Sequence, residues 1–316
     1  MALAFCLLVY AAAVMTLAPP VLIGLTRTGR APRAAITTWV AALLSTLVAL
    51  LAAPVALTAD LLTARGDLVA VSRTCLAVLR SVGGGSYAPV VQVSAVVVAG
   101  TATAYISWSL GRGLWVTRRR TLTHADAVRL VGRPNTHLGT LVLDSPHRLA
   151  YCLPGRDRTV VVTTATVTAL TTDQLDAVLA HEHAHLDQHH HLLLAIVRGL
   201  ARVFPGAPLF HAAAAQLSHL VEFSADDAAA RRHGGRTVTE ALLAMTGTHP
   251  VPAGALAAAA AGVRLRVHRL LGVPAPLRQA WLQLTLATTA TALLAAPVAA
   301  IVVVAHGVSL CSLPTV

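Results

Sequence analysis

Apolar and polar positions along this chain are sorted into long blocks rather than into short amphipathic turns. Residues 2–25, 36–58, 90–110 and 279–305 are apolar almost throughout. Each block offers roughly the 20 apolar residues that a helix needs to cross a bilayer, so four membrane-spanning helices are expected. Pro19-Pro20 would kink the first, and Gly83-Gly84-Gly85 precedes the third. Between the third and fourth blocks the pattern changes. Residues 118–130 have helical spacing, whereas 140–143, 149–153 and 159–163 read as short strands, the last two joined by a PGRDR hairpin turn. A helix then opens in TTDQLDAVLAHEHAHL: Thr171 is the N-cap, Gln174 completes a capping box, and Asp173 and Asp176 sit near the positive end of the helix dipole. Residues 192–218 are apolar but interrupted by Arg198, Arg202 and a PGAP turn. They read as a helical hairpin lying at or partly within the inner leaflet, its arginines snorkelling outward.

Composition and charge place these blocks. Of the 316 residues, 56% are hydrophobic and 12% charged, against about a quarter charged in a soluble domain, and the mean hydropathy is +0.69. The net charge of +11 comes from arginine alone, for the chain has no lysine. Arg27, Arg30 and Arg33 lie between the first two blocks with no acid, and Arg112, Arg118, Arg119 and Arg120 follow the third. The 59–89 loop balances Arg65, Arg73 and Arg80 against Asp60 and Asp67, and the last eleven residues carry no arginine. By the positive-inside rule, residues 26–35 and 111–278 face the cytoplasm, while both termini and the 59–89 loop lie outside. Topology accounts for the basic excess, so direct nucleic-acid binding is not expected. The first block is too long, and too poor in flanking basic residues, for a cleavable signal peptide.

Four cysteines form no CxxC pair, which argues against a thiolate zinc site. The topology puts Cys75 and Cys311 on the oxidising side, where they can form a disulfide; Cys6 and Cys152 are expected to stay reduced.

The chemistry is concentrated in AHEHAHLDQHHHL, residues 180–192, which contains six histidines. At about 100° per residue, His181, His185 and His189 share one face of the helix, His183 and His190 point away, and His191 lies on a third side. Only His181 and His185 bracket a glutamate in the HExxH pattern. Two imidazoles one turn apart can share a tetrahedral zinc ion, with Glu182 beside them to take a proton from water. The remaining four are expected at the surface or an interface, because a catalytic zinc takes three protein ligands and keeps one position open. The chain has only three glutamates: Glu182, Glu222 and Glu240. Glu222 opens VEFSADDAAARRH, a helical stretch in which Asp226 follows one turn later. Glu222 can complete a His₂Glu set, and Asp226 can accept a hydrogen bond from the free N–H of a ligating histidine. No oxyanion helper stands out; His219 and Tyr151 are the weak candidates.

DAVLAHEHAHL followed by VEFSADDAAARRHG resembles the BlaR/MecR type of membrane zinc metallopeptidase, over about residues 140–235. The resemblance implies that His181, His185 and Glu222 hold Zn²⁺, Glu182 is the general base, and Asp226 supports a ligand. The HtpX-like and CAAX-prenyl proteases share the HExxH…ExxxD core; the order of three spans, a cytoplasmic module and one late span favours the BlaR type. No penicillin-binding domain with an SxxK serine follows the last span, so direct β-lactam sensing is not expected.

The expected fold is α+β, an integral membrane protein that is mostly α-helical with about four transmembrane helices and a cytoplasmic gluzincin-like peptidase. Its parts are a three-span region (1–112), the zinc peptidase with its membrane-associated hairpin (113–278), and a last helix with a short outside tail (279–316). The expected activity is zinc endopeptidase cleavage of a cytoplasmic protein such as a transcriptional repressor, with the lipid bilayer as the other partner. The rival readings are an HtpX-like quality-control protease and a non-enzymatic, histidine-rich zinc sensor or transporter.

Overall fold

The computed structural model describes residues 2–63, 88–135, 137–153, 158–246, 253–272 and 276–305. The apolar blocks become helices α1 (Ala2–Thr26), α2 (Pro32–Thr63) and, at the far end of the chain, α10 (Pro276–Ala305). Among the described residues, three stretches are long and apolar enough to cross a membrane: Leu3–Thr26, Pro32–Ala56 and Pro276–Val303. The block at 90–110 is also helical, but it forms only the first half of α3 (Ala88–Val131), a continuous 44-residue helix that takes in the predicted 118–130 helix as well. The predicted Cys75–Cys311 bridge lies outside the described residues. Cys6 and Cys152 are both thiols.

A four-stranded sheet follows α3: β1 (Arg133–Asn135), β2 (Thr140–Leu143), β3 (Ala150–Leu153) and β4 (Thr159–Thr163). The strand order is β1-β2-β4-β3. β4 pairs in parallel with β2 and antiparallel with β3. This central position explains why Val160, Val161 and Val162 are all fully buried: alternate side chains enter opposite faces, and both faces are covered. Val161 packs with Ala125 and Val128 of α3, while Val160 and Val162 pack with Leu175, Leu179 and Leu186. β1, a three-residue edge strand containing Pro134, had no periodicity to announce it; proline is tolerated there because an edge strand need not donate on both sides.

Six helices complete the module: α4 (Thr164–Ala169), α5 (Thr172–Asp187), α6 (His190–Val203), α7 (Pro208–His233), α8 (Gly235–Met245) and α9 (Ala253–Leu271). The capping box at α5 forms as expected, with both Thr171 and Gln174 bonding reciprocally to backbone N–H groups. The 192–218 segment is a helical hairpin, α6 and the first half of α7. Its apolar side shares one core with α1, α2 and α10, where Leu22, Trp39, Leu209, Phe210, Leu217 and Leu286 meet. Arg198 and Arg202 stay exposed. Polar groups in this apolar bundle find partners across helices: Tyr10 donates to the Leu293 carbonyl at 2.8 Å and Thr38 to the Leu286 carbonyl at 3.0 Å.

The α1–α2 turn fixes the height of α7. Gly29 adopts a positive φ of 61°, and a Cβ there would come within 2.5 Å of the Phe223 ring. Glycine thus serves both the turn and the close approach. Glu222 is the residue before Phe223 in α7.

Candidate metal centre

Helix α5 presents His181 and His185 one turn apart, and α7 crosses it to bring in Glu222. The His181 and His185 Nε2 atoms are 3.1 Å apart. Glu222 places Oε2 3.5 Å from the first and Oε1 3.6 Å from the second. One ligand atom from each of the three residues lies within 4.8 Å of the others, an arrangement that could hold a metal ion. The edge of a tetrahedron built on zinc bonds of about 2.0–2.2 Å is roughly 3.3–3.6 Å. Donor type and spacing both fit zinc.

The bond behind His181 strengthens that fit. His181 Nδ1 lies 3.1 Å from Asp226 Oδ1, so Nδ1–H donates to the carboxylate and Nε2 presents its lone pair to the cluster. Asp226 is fully buried. It is neutralised by Arg266, which donates from Nε at 2.8 Å and Nη2 at 2.6 Å in a bidentate fork, while Nη1 reaches Glu222 Oε2 at 3.4 Å. Arg269 continues the chain of charge, donating to Asp227 at 2.5 Å and to the Phe223 carbonyl at 2.9 Å.

Electrostatics follow from these contacts. Burial pushes against the carboxylates of Glu222 and Asp226, but bonds from His181 and, for Asp226, from Arg266 outweigh it and hold both below their ordinary values. Burial likewise resists charge on His181, yet its bonds to Asp226 and Glu222 raise it; burial and the His181 charge lower His185. The Glu222 and Asp226 carboxylates thus stay ionised beside the two imidazoles. Glu182 differs from Glu222: burial pushes its carboxyl up to about 7, outweighing the nearby His181 and Arg266 charges. It lines a pocket of about 180 Å³ with His181, Glu222, Arg266 and Ala150.

The sheet contributes its edge to this pocket. Thr163 N–H donates to the Leu149 carbonyl at 3.1 Å. Alternation then turns the backbone of Tyr151 and Leu153 toward β4 and that of Ala150 and Cys152 outward, with the Cys152 backbone on the Glu182 side of the strand. In the sheet β4 is interior, whereas β3 is an edge strand.

The expected site residues His181, Glu182, His185, Glu222 and Asp226 all come together. The outlying histidines need correction. His189 does not continue the ligand face, because α5 ends at Asp187 and His189 adopts φ 53°, ψ 34°. His190 does not point away: it is 2% exposed, with Nδ1 2.9 Å from His185 Nδ1. His183 bonds its own helix at the Leu179 carbonyl, 2.7 Å away, and His191 is exposed. Tyr151 packs near His124, ring centroids 6.0 Å apart, and His219 is exposed. Arg266 was missed. Its signal was the buried demand of the two adjacent acids of SADDAAA, but RLRVHR stands beside the last apolar block and reads equally well as a topology signal.

Residues 116–205 match the model of peptidase family M48. The match spans the end of α3, the sheet, α5 with its HEHAH motif, and α6; it stops before Glu222. Over this stretch the chain is similar to a family of metallopeptidases, which are peptide hydrolases. Together with the three apolar helices, the match supports a membrane-associated zinc metallopeptidase. No curated protein and no solved structure matches the chain.

Proposed function

We propose that the protein is a membrane-embedded zinc endopeptidase of the BlaR/MecR type that cleaves a cytoplasmic protein such as a transcriptional repressor. The observation that carries this reading is the convergence of His181, His185 and Glu222 from two helices, with Asp226 bonded behind His181. In this reading α3 supplies the fourth span through residues 90–110, the catalytic module faces the cytoplasm, and both termini lie outside.

His181, His185 and Glu222 hold the zinc, which when bound supplies Lewis acidity to the scissile carbonyl and to water. Glu182 is the general base. Its half-buried carboxyl, raised toward neutrality, takes a proton from the attacking water and returns it to the leaving amine. Asp226 keeps the His181 tautomer that leaves Nε2 free for the ion, and Arg266 keeps Asp226 ionised and in place. The substrate backbone pairs with the outward groups of Ala150 and Cys152 on β3, an added-strand mode that lays a scissile bond across the pocket beside Glu182.

Glu182→Gln tests the mechanism. Zinc per chain, measured in detergent, should match the wild type while peptidase activity is lost. Zinc loss in this variant, or unchanged proteolysis, contradicts the assignment. Proteomics of wild-type against Glu182→Gln cells tests the substrate: a single stabilised cytoplasmic protein supports regulated cleavage, whereas many stabilised membrane proteins would point to HtpX-like quality control.

A further inference from the structure

The end of α5 departs from the straight path that its sequence predicts. Continued at about 100° per residue, the helix would turn His190 roughly 140° away from His185. Instead α5 stops at Asp187, His189 takes the left-handed conformation at φ 53°, and α6 restarts at His190. A residue with a Cβ adopts that conformation only against steric resistance, so something must favour the break. Part of the answer is on α7, where Ser224 donates to the Gln188 side chain at 2.5 Å. Ser224 lies between Glu222 and Asp226 in sequence, so the helix that carries the carboxylates also secures the break.

The consequence of the break is the return of His190. Its ring stands against His185 with centroids 4.9 Å apart and planes at 79°, and the two Nδ1 atoms are 2.9 Å apart. Two facing ring nitrogens share one proton. When His185 gives Nε2 to a metal, its Nδ1 must carry hydrogen, so His190 Nδ1 is the acceptor and His190 keeps its own proton on Nε2.

We propose that His190 is a positioning residue, holding His185 in the ligating tautomer and orientation as Asp226 holds His181. The inference rests on the zinc-site reading. The two ligand imidazoles then have unlike supports: an anion on α7 braced by arginine, and a neutral ring supplied by the α5–α6 break. The fifth histidine of a crowded motif thereby acquires a role without touching the ion.

The test compares His190→Phe with His190→Asn in the full-length protein in detergent. Phe keeps the ring's bulk without an acceptor, whereas Asn sets an oxygen near the Nδ1 position. Zinc affinity, read by chelator competition, should fall about 10–100-fold in the Phe variant, the usual effect of losing such a support. The Asn variant should recover most of it, and the visible spectrum of the cobalt-loaded protein should move in the Phe variant and return in the Asn one. Wild-type affinity in the Phe variant overturns the proposal, as does an equal loss in both variants. If neither variant folds, nitrogen NMR of the zinc-loaded wild type decides: His190 protonated at Nε2 supports it, and at Nδ1 overturns it. Failure of the wild type to hold one zinc per chain sinks the zinc reading and this inference together, whereas a zinc-loaded wild type with an indifferent His190→Phe sinks this inference alone.

Discussion

Helix α7 is two structures on one axis. Its first half puts Leu209, Phe210, Ala213, Leu217 and Leu220 into the apolar core shared with α1, α2 and α10. Its second half buries Ser224 and Asp226 and reaches His181, Arg266 and Gln188 through directed bonds. Phe223 marks the change, with its ring close to Gly29 and 5.0 Å from the Arg269 guanidinium. In the first half, any residue of suitable bulk contributes, because dispersion and burial are not directional. The second half tolerates far less. A buried carboxylate requires a particular guanidinium, and removing one partner leaves the other charged and uncompensated. The polar end of the helix is thus specified by a few long-range pairs, and the apolar end by many interchangeable contacts.

The largest test of that contrast is Arg266→Met. It strands the Asp226 carboxylate, and loss of one partner of a buried pair should cost about 3–5 kcal/mol, read as a fall in thermal midpoint in detergent, with weaker zinc binding alongside. Adding Asp226→Asn to Arg266→Met should recover part of the stability, because the remaining group is no longer charged. A loss below about 1 kcal/mol for Arg266→Met would show that the polar half is not specified by this pair.

In the apolar half, Leu217→Ala should cost about 2–3 kcal/mol, toward the lower end for a buried leucine. Zinc affinity should not change. A variant that loses zinc as Arg266→Met does would erase the distinction between the two halves. The smallest effect belongs to the joint. Gly29→Ala meets both the positive φ and the Phe223 ring, and should cost about 1–2 kcal/mol in backbone strain, seen as a modest drop in midpoint. An unchanged or raised midpoint would mean that the turn does not set the height of α7.

The same contrast explains what could be read from the chain. The apolar blocks at 2–25, 36–58 and 279–305, the TVVVT strand and the Thr171 capping box are local patterns, and each forms where expected. The cluster of His181, His185 and Glu222 was legible because the HExxH spacing lies on one helix and the chain offers only three glutamates. Asp226 followed from one helical turn. Arg266 was not legible, since a partner forty residues away leaves no periodic trace. His190 was misread for a different reason: regular helix geometry was extended across His189, whose left-handed backbone is held by a Ser224–Gln188 bond between separate helices. The three-residue β1 is too short for any pattern to register.

The central claim is that two histidines of α5 and one glutamate of α7 make the metal site. Zinc per chain in Glu222→Ala and His189→Ala, purified side by side in detergent from the full-length protein, tests it most directly. The account predicts that Glu222→Ala loses the metal, while His189→Ala, altered at an exposed ring at the helix break, retains one zinc. If His189→Ala is the variant that loses zinc and Glu222→Ala keeps it, the site is built from three histidines and the account is wrong.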